Sequence, residues 1–124
     1  MLLIDDEADF TQPMAFWLKS KGYAVSEAHS GEEGITKTKE EKPDIIFLDL
    51  NMPVLDGIAT LQRIREFDKA TPVIIISAYT EKANTKDVEQ YAISGVFYKG
   101  EDFQKGLSLL EATLRTHKKL KKEE

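Results

Sequence analysis

Two short apolar runs in this chain each stop at acid. Leu2-Leu3-Ile4 runs into Asp5 and Asp6, and Ile45-Ile46-Phe47-Leu48 runs into Asp49. Runs of this length and composition, bounded by polar residues, read as buried strands of a parallel sheet. Strands pointing the same way bring the three carboxylates to one sheet edge, and open α/β sheets bind ligands at that carboxyl edge. Crowded carboxylates repel one another. They coexist only with a cation, a nearby lysine or a raised pKa, which points to chemistry rather than packing.

Strands and helices alternate along the rest of the chain. The first strand is residues 1–4. A helix over 10–21 carries Phe10, Met14, Trp17 and Leu18 on one face, with Pro13 expected in its first turn and Gly22 at its end. Tyr23 to Ala28 is a polar strand, hence an edge. Ser30-Gly31-Glu32-Glu33 is a capping box that opens a second helix, to about Glu41. Pro43 precedes a third strand over 44–48. A third helix over 57–67 turns Ile58, Leu61 and Ile64 inward, and Val73 to Ser77 reads as a central strand. Residues 81–92 form a fourth helix with few apolar contacts: Ala83, Val88, Tyr91 and Ala92. The fifth strand is 96–99. The fifth helix starts near Glu101 with Phe103, Leu107, Leu110 and Leu114 at helical spacing. Five βα units imply a doubly wound, flavodoxin-like α/β fold with a five-stranded parallel sheet in the order 2-1-3-4-5. That order places Asp5, Asp6 and Asp49 beside the switch-point crevice. It also brings Ser77 and Lys99 to the same edge.

Composition narrows the classes of function. The 124 residues suit a single domain with one core. The expected division is a globular part over 1–117 and a charged extension, or start of a linker, over 118–124. The chain carries net charge -5; the four Lys and two Glu of 118–124 make that tail +2 and the remainder -7. An acidic body argues against direct nucleic-acid binding, and the lysines read as a solvated helix end. No apolar run approaches the roughly 18 residues of a membrane span. No export signal is visible, and the absence of cysteine excludes disulfides and thiolate metal sites. These points make a cytoplasmic, membrane-free location the expectation.

The residues at the carboxyl edge carry a family resemblance. Asp5-Asp6-Glu7, Asp49-Leu-Asn-Met-Pro-Val-Leu-Asp56-Gly57, Ser77-Ala78 and Lys99 each follow a strand, in order. Over Leu2 to about Leu114 the chain resembles the receiver domain of bacterial two-component response regulators. The resemblance implies a phosphorylation-dependent signalling switch rather than an enzyme. Asp49 would accept a phosphoryl group, as an acyl phosphate, from a sensor histidine kinase or a histidine phosphotransfer protein. It further implies Mg²⁺, bound through the side chains of Asp6 and Asp49 and the backbone carbonyl of Asn51, with Asp5 acting through water. Phosphoryl transfer needs positioning and charge neutralisation, which a hard cation and a lysine supply. Lys99 is long enough to reach a phosphoryl oxygen, or to pair with Asp49 in the resting state. Ser77 would donate a hydrogen bond to the phosphoryl group; its alternative role is a helix cap, for which Thr80 is the better residue. The expected response is a change in the face made by the fourth helix, fifth strand and fifth helix, a face that in this family also forms homodimers. Asn51 and Tyr79 flank the site and would tune acyl-phosphate hydrolysis.

Two positions depart from the family pattern. Gly100 replaces the usual proline after the lysine, so its peptide bond is expected to be trans. Val96 stands where the family has an aromatic switch residue, and Tyr98, on the same strand face, is the candidate replacement. Both departures favour a rival, a binding module that is never phosphorylated. A second rival, an aspartate-nucleophile phosphohydrolase, would need an acid at Asn51. A nucleotide- or flavin-binding domain would need a glycine-rich first loop where this chain has Asp5-Asp6-Glu7. His29 and His117 read as isolated surface residues, and Pro53, Asp56 and Gly57 as structural.

Overall fold

The structure, a computed structural model, describes residues 1–78 and 90–116. The described strands are β1 (Leu2–Ile4), β2 (Ser26–Ala28), β3 (Ile46–Asp49), β4 (Val73–Ser77) and β5 (Gly95–Tyr98). The described helices are α1 (Ala8–Ser20), α2 (Gly31–Glu41), α3 (Gly57–Phe67) and α4 (Phe103–Thr116). All strand pairs are parallel and the order is β2-β1-β3-β4-β5, as expected.

Side-chain alternation splits the sheet's two faces between two cores. Leu2, Ile4, Ile46, Leu48, Val73 and Ile75 pack with Leu61 and Ile64 of α3. Leu3, Phe47, Ile74, Ile76 and Phe97 pack with Met14 and Leu18 of α1 and with Leu107 and Leu110 of α4. Each side chain buried this fully contributes about 1.5–3 kcal/mol. The central strands are apolar on both sides because both sides are covered.

Element ends follow local chemistry, with corrections at two helix starts and one strand. First, α1 begins at Ala8, two residues earlier than expected. Pro13 therefore sits in the second turn, where it cannot bond the exposed Asp9 carbonyl. Second, the capping box is rerouted. Ser30 Oγ accepts the Glu33 N–H at 3.1 Å, but Glu33 Oε1 accepts from the His29 N–H, at 2.8 Å, instead of from Ser30. Third, β2 is shorter than Tyr23–Ala28: only Ser26 to Ala28 pair with β1, and the Ala24 carbonyl accepts a single bond from the Met1 amine.

Helix α3 and the strand that follows it fall where the sequence predicts, whereas β3 starts at Ile46 rather than at 44 and runs on through Asp49, which pairs with Ile76 of β4. Asp56 Oδ1 caps α3 by accepting the Ala59 N–H at 2.9 Å. Most of the expected helix over 81–92, with Tyr79 and Thr80 before it, lies outside the described residues, as do His117 and the tail 118–124. At the far end of that stretch, Ala92 is exposed in left-handed backbone (φ 62) and is no core contact. Tyr91 does join the α3-side core. Arg65 Nε and Gln62 Nε2 hold Tyr91 through its carbonyl and its hydroxyl, at 3.0 and 2.7 Å, and so fix the approach to β5.

Candidate phosphoacceptor and metal site

Sheet register assembles the site. Ile4 pairs with Leu48, so Asp5, just past β1, comes level with Asp49, the last residue of β3. Asp49 in turn pairs with Ile76, one residue before Ser77. Asp5, Asp6 and Asp49 can each offer an oxygen within 4.8 Å of the others. Asp5 and Asp49 are buried at 0% and 1% exposure, while Asp6 is exposed.

The two buried acids are held by their own loops. Asp5 Oδ1 accepts the Glu7 N–H at 2.8 Å, and Asp49 Oδ1 accepts the Asn51 N–H at 3.1 Å. Their Oδ2 atoms are buried and accept no hydrogen bond. Lys99 Nζ lies 3.0 Å from Asp5 Oδ2 and 3.6 Å from Asp49 Oδ2. These are ion-pair contacts, and they leave part of the oxygens' demand unmet. Burial, and then the Asp5 charge, push the Asp49 carboxyl up to about 7. Burial also raises Asp5, against the pull of the Glu7 N–H and Lys99. Burial alone would lower the Lys99 ammonium, but contacts with Glu7, Asp5 and Asp49 raise it instead. Lys99 is therefore a fixed cation. Two orphaned buried carboxylate oxygens beside a third acid form an all-oxygen donor set that suits a hard divalent cation.

The loop after Asp49 is drawn tight. The Gly57 N–H bonds Leu50 O at 3.0 Å, and a Cβ on Gly57 would lie 2.2 Å from Asp49 O. Only glycine allows that approach, so the start of α3 is pressed onto the backbone of Asp49. Val54, fully exposed, is the centre of a three-residue turn closed by the Leu55 N–H on Pro53 O, with φ 67. A β-branched residue in that region is strained.

The other expected residues arrive at the same edge. Lys99 follows β5 rather than ending it, and its N–H bonds Ser77 O at 2.8 Å. The Lys99–Gly100 peptide is trans, as expected. Gly100, at φ 94, is the third residue of a turn closed by the Glu101 N–H on Tyr98 O at 3.1 Å. Glycine thus presents the lysine through a turn that proline would not form. Ser77 is buried, and its hydroxyl donates to Ala78 O at 3.2 Å rather than to an acid. Tyr98 stands directly across from Ser77 in the β4–β5 register and is half-buried. Val96 packs on the α3-side core. Asn51 is exposed.

Sequence reasoning missed two contacts. Glu7 binds Lys99 Nζ through Oε1 across 92 positions. Phe10 lies under the same ammonium, with the nitrogen 5.1 Å from the ring centre. The adjacency of Glu7 to the acid pair was the only available signal. His29 proved not to be isolated: its Nε2 lies 3.2 Å from Glu27 Oε1.

A parallel 2-1-3-4-5 sheet with three acids and a lysine at its carboxyl edge is the architecture of receiver domains. The response regulator receiver domain model matches residues 1–111, and the chain belongs to that family, whose members act in two-component signalling through phosphoryl acceptance. The transcriptional regulatory protein ResD of Bacillus subtilis (strain 168) is 44% identical over 84 residues, covering 68% of this chain and 35% of ResD. Protein-glutamate methylesterase/protein-glutamine glutaminase 1 of Syntrophomonas wolfei is 33% identical over 124 residues, covering 98% of this chain and 35% of the relative. The chain thus spans about a third of the length of these curated relatives. Among solved structures, the REC domain of AraT from Geobacillus stearothermophilus matches with TM-score 0.80 and 27% identity, covering 96% of this chain and 92% of that one. The NtrX receiver domain of Brucella abortus, at 23% identity and TM-score 0.88 over 93% and 98% of the two chains, shares the fold.

Proposed function

We propose that Asp49 is the phosphoacceptor and that the chain switches a signalling surface when it is modified. The observation that carries this is the buried, unsatisfied Oδ2 of Asp49, set 3.6 Å from Lys99 and beside two further acids. In the transfer step an Asp49 carboxylate oxygen attacks phosphorus in a phosphohistidine. The new O–P bond replaces the N–P bond, and the imidazole leaves. The donor is a sensor histidine kinase or a histidine phosphotransfer protein. Asp49 must be ionised to attack, and the Lys99 charge favours that form.

Asp6 and Asp49, with the Asn51 backbone carbonyl, are the residues to hold Mg²⁺, and Asp5 completes the acid set. Bound there, Mg²⁺ supplies positive charge that offsets the carboxylates and the incoming phosphoryl group. The phosphoryl group adds about -1.5 to -2 of charge. Ser77 and Lys99 are placed to answer it, Ser77 by turning its hydroxyl away from Ala78 O. Tyr98, across the strand pair from Ser77, is the residue to sense that turn, with Val96 as packing beneath. The responding face comprises the segment before β5, β5 itself and α4, and a homodimer through that face is part of the proposal. The chain assists its own transfer and dephosphorylation and is otherwise not an enzyme. The turn at Gly100 weakens the rival reading of a site that is never phosphorylated, since it still delivers Lys99 to the acids.

The test is phosphorylation by a small acyl-phosphate donor, read by intact mass. We expect a phosphoryl increment that requires Mg²⁺ and is lost in Asp49→Asn. An increment retained in Asp49→Asn would assign the acceptor elsewhere.

A further inference from the structure

Lys99 does not rest on Asp49 alone. Its ammonium contacts Glu7 Oε1 most closely, Asp5 Oδ2 next at 3.0 Å and Asp49 Oδ2 last at 3.6 Å. Glu7 stands at the N-cap of α1 yet makes no capping hydrogen bond. A glutamate is too long to cap well there, where Ser, Thr, Asp and Asn are preferred. Its carboxylate is directed to Lys99 instead. Phe10, one turn further along α1, puts its ring 5.1 Å from the same nitrogen. That ring is fixed in turn by Phe97 and Phe103, at centroid distances of 6.4 and 6.2 Å. A hollow of about 460 Å³, lined by Glu7, Ala8, Asp9, Phe10 and Lys99, opens on this side of the lysine.

We propose that Glu7 is a positioning residue that holds Lys99 in a resting seat between Asp5 and the Phe10 ring, nearer to Glu7 and Asp5 than to Asp49. The inference rests on the assignment of Asp49 as phosphoacceptor. An ammonium has three protons and can serve few anions well at once. In the unmodified chain Glu7 takes the largest share. A phosphoryl group on Asp49 draws Lys99 out of the seat, and the cost of leaving Glu7 is charged against each modification. Glu7 thereby sets how readily this chain accepts and keeps the group. Glu7 itself is mostly exposed, so its hold is weak enough to be broken.

The experiment is a double-mutant cycle on the full chain with Glu7→Gln and Lys99→Met, using acetyl phosphate and Mg²⁺. Glu7→Gln is expected to speed phosphorylation about 2- to 5-fold, the range a partly exposed ion pair supplies. In the Lys99→Met background the same change is expected to have little effect. An equal acceleration in both backgrounds would overturn the proposal, because removing a negative charge would then act only through its field on the donor. No acceleration in either would overturn it too. A second readout is independent of phosphorylation: acylation of the Lys99 amine in unmodified, metal-free protein, followed by peptide mass. Glu7→Gln is expected to raise Lys99 labelling several-fold relative to Lys105, and unchanged labelling counts against the seat. Failure of wild type to be phosphorylated at all would sink the Asp49 assignment, while the labelling result would still decide the resting geometry.

Discussion

Asp49 shows at the scale of one residue how burial and function collide. Folding removes its carboxylate from water and sets it against Asp5, which raises its pKa from 3.8 to about 7. Between those two values the folded chain binds more protons than the unfolded one. The stability this group contributes is complete below pH 3.8 and is lost as pH rises through about 7. One pKa unit corresponds to about 1.4 kcal/mol, so the loss is of order a few kcal/mol in metal-free protein. Asp49→Asn removes the charge while keeping the shape. Urea unfolding in chelator at pH 5 and pH 8 is expected to show wild type losing stability over that interval and Asp49→Asn losing much less. Subtracting the two curves cancels groups shared by both chains. Parallel curves would mean that Asp49 does not carry the shifted charge. Asp5, raised in the same direction, keeps the variant from becoming fully flat.

At the scale of elements, the turn from β5 to α4 presents Lys99 through a glycine, where the family resemblance implied a proline. Gly100 has φ 94, while proline is locked near -65°. Gly100→Pro breaks the Tyr98-to-Glu101 turn that presents Lys99. It is expected to destabilise the chain by about 1–3 kcal/mol and to slow phosphorylation by a small donor at least several-fold. Denaturation curves and the same intact-mass assay check both. A variant as stable and as quickly phosphorylated as wild type would show that the turn is dispensable. The elements most legible in the sequence were those whose ends carry their own chemistry. Val73 to Ser77 and Gly57 to Phe67 fall where their apolar runs and the Asp56 cap put them. Tyr23 to Val25 read as strand, but only Ser26 to Ala28 pair with β1, and local pattern does not report where pairing stops. Pro13 was expected at a helix start because proline is favoured there; the helix started earlier, at Ala8, after Glu7 had taken the N-cap. The acids, Ser77 and Lys99 were legible because each ends or follows a strand. The Glu7–Lys99 pair was not, because it joins residues 92 positions apart through tertiary structure.

The whole molecule carries an unresolved repulsion at one edge of a sheet that is otherwise covered on both faces. Among the described residues three acids meet there with one lysine, and the lysine is shared with Glu7. A cation that binds this edge in the folded state alone stabilises the entire chain through mass action, by about 2.7 kcal/mol at a hundred times its Kd. For a domain of this size that corresponds to roughly 10 °C in Tm. Saturating Mg²⁺ at pH 8 is therefore expected to raise the Tm of wild type by that order. At pH 5 the gain should shrink, because protons then compete for the carboxyl that titrates near 7. Asp49→Asn, which lacks one anionic ligand and much of the repulsion, should gain far less at either pH. Chelator added to the Mg²⁺-loaded wild type should return its Tm to the metal-free value. The comparison separates a site from a surface effect. A general affinity of an acidic chain for cations would raise all variants alike and would be screened by added salt, whereas binding between Asp6 and Asp49 depends on Asp49 and persists at ionic strengths that screen exposed charge. Equal Mg²⁺ shifts in wild type and Asp49→Asn would place the cation elsewhere and leave the acid cluster balanced by Lys99 and bound protons.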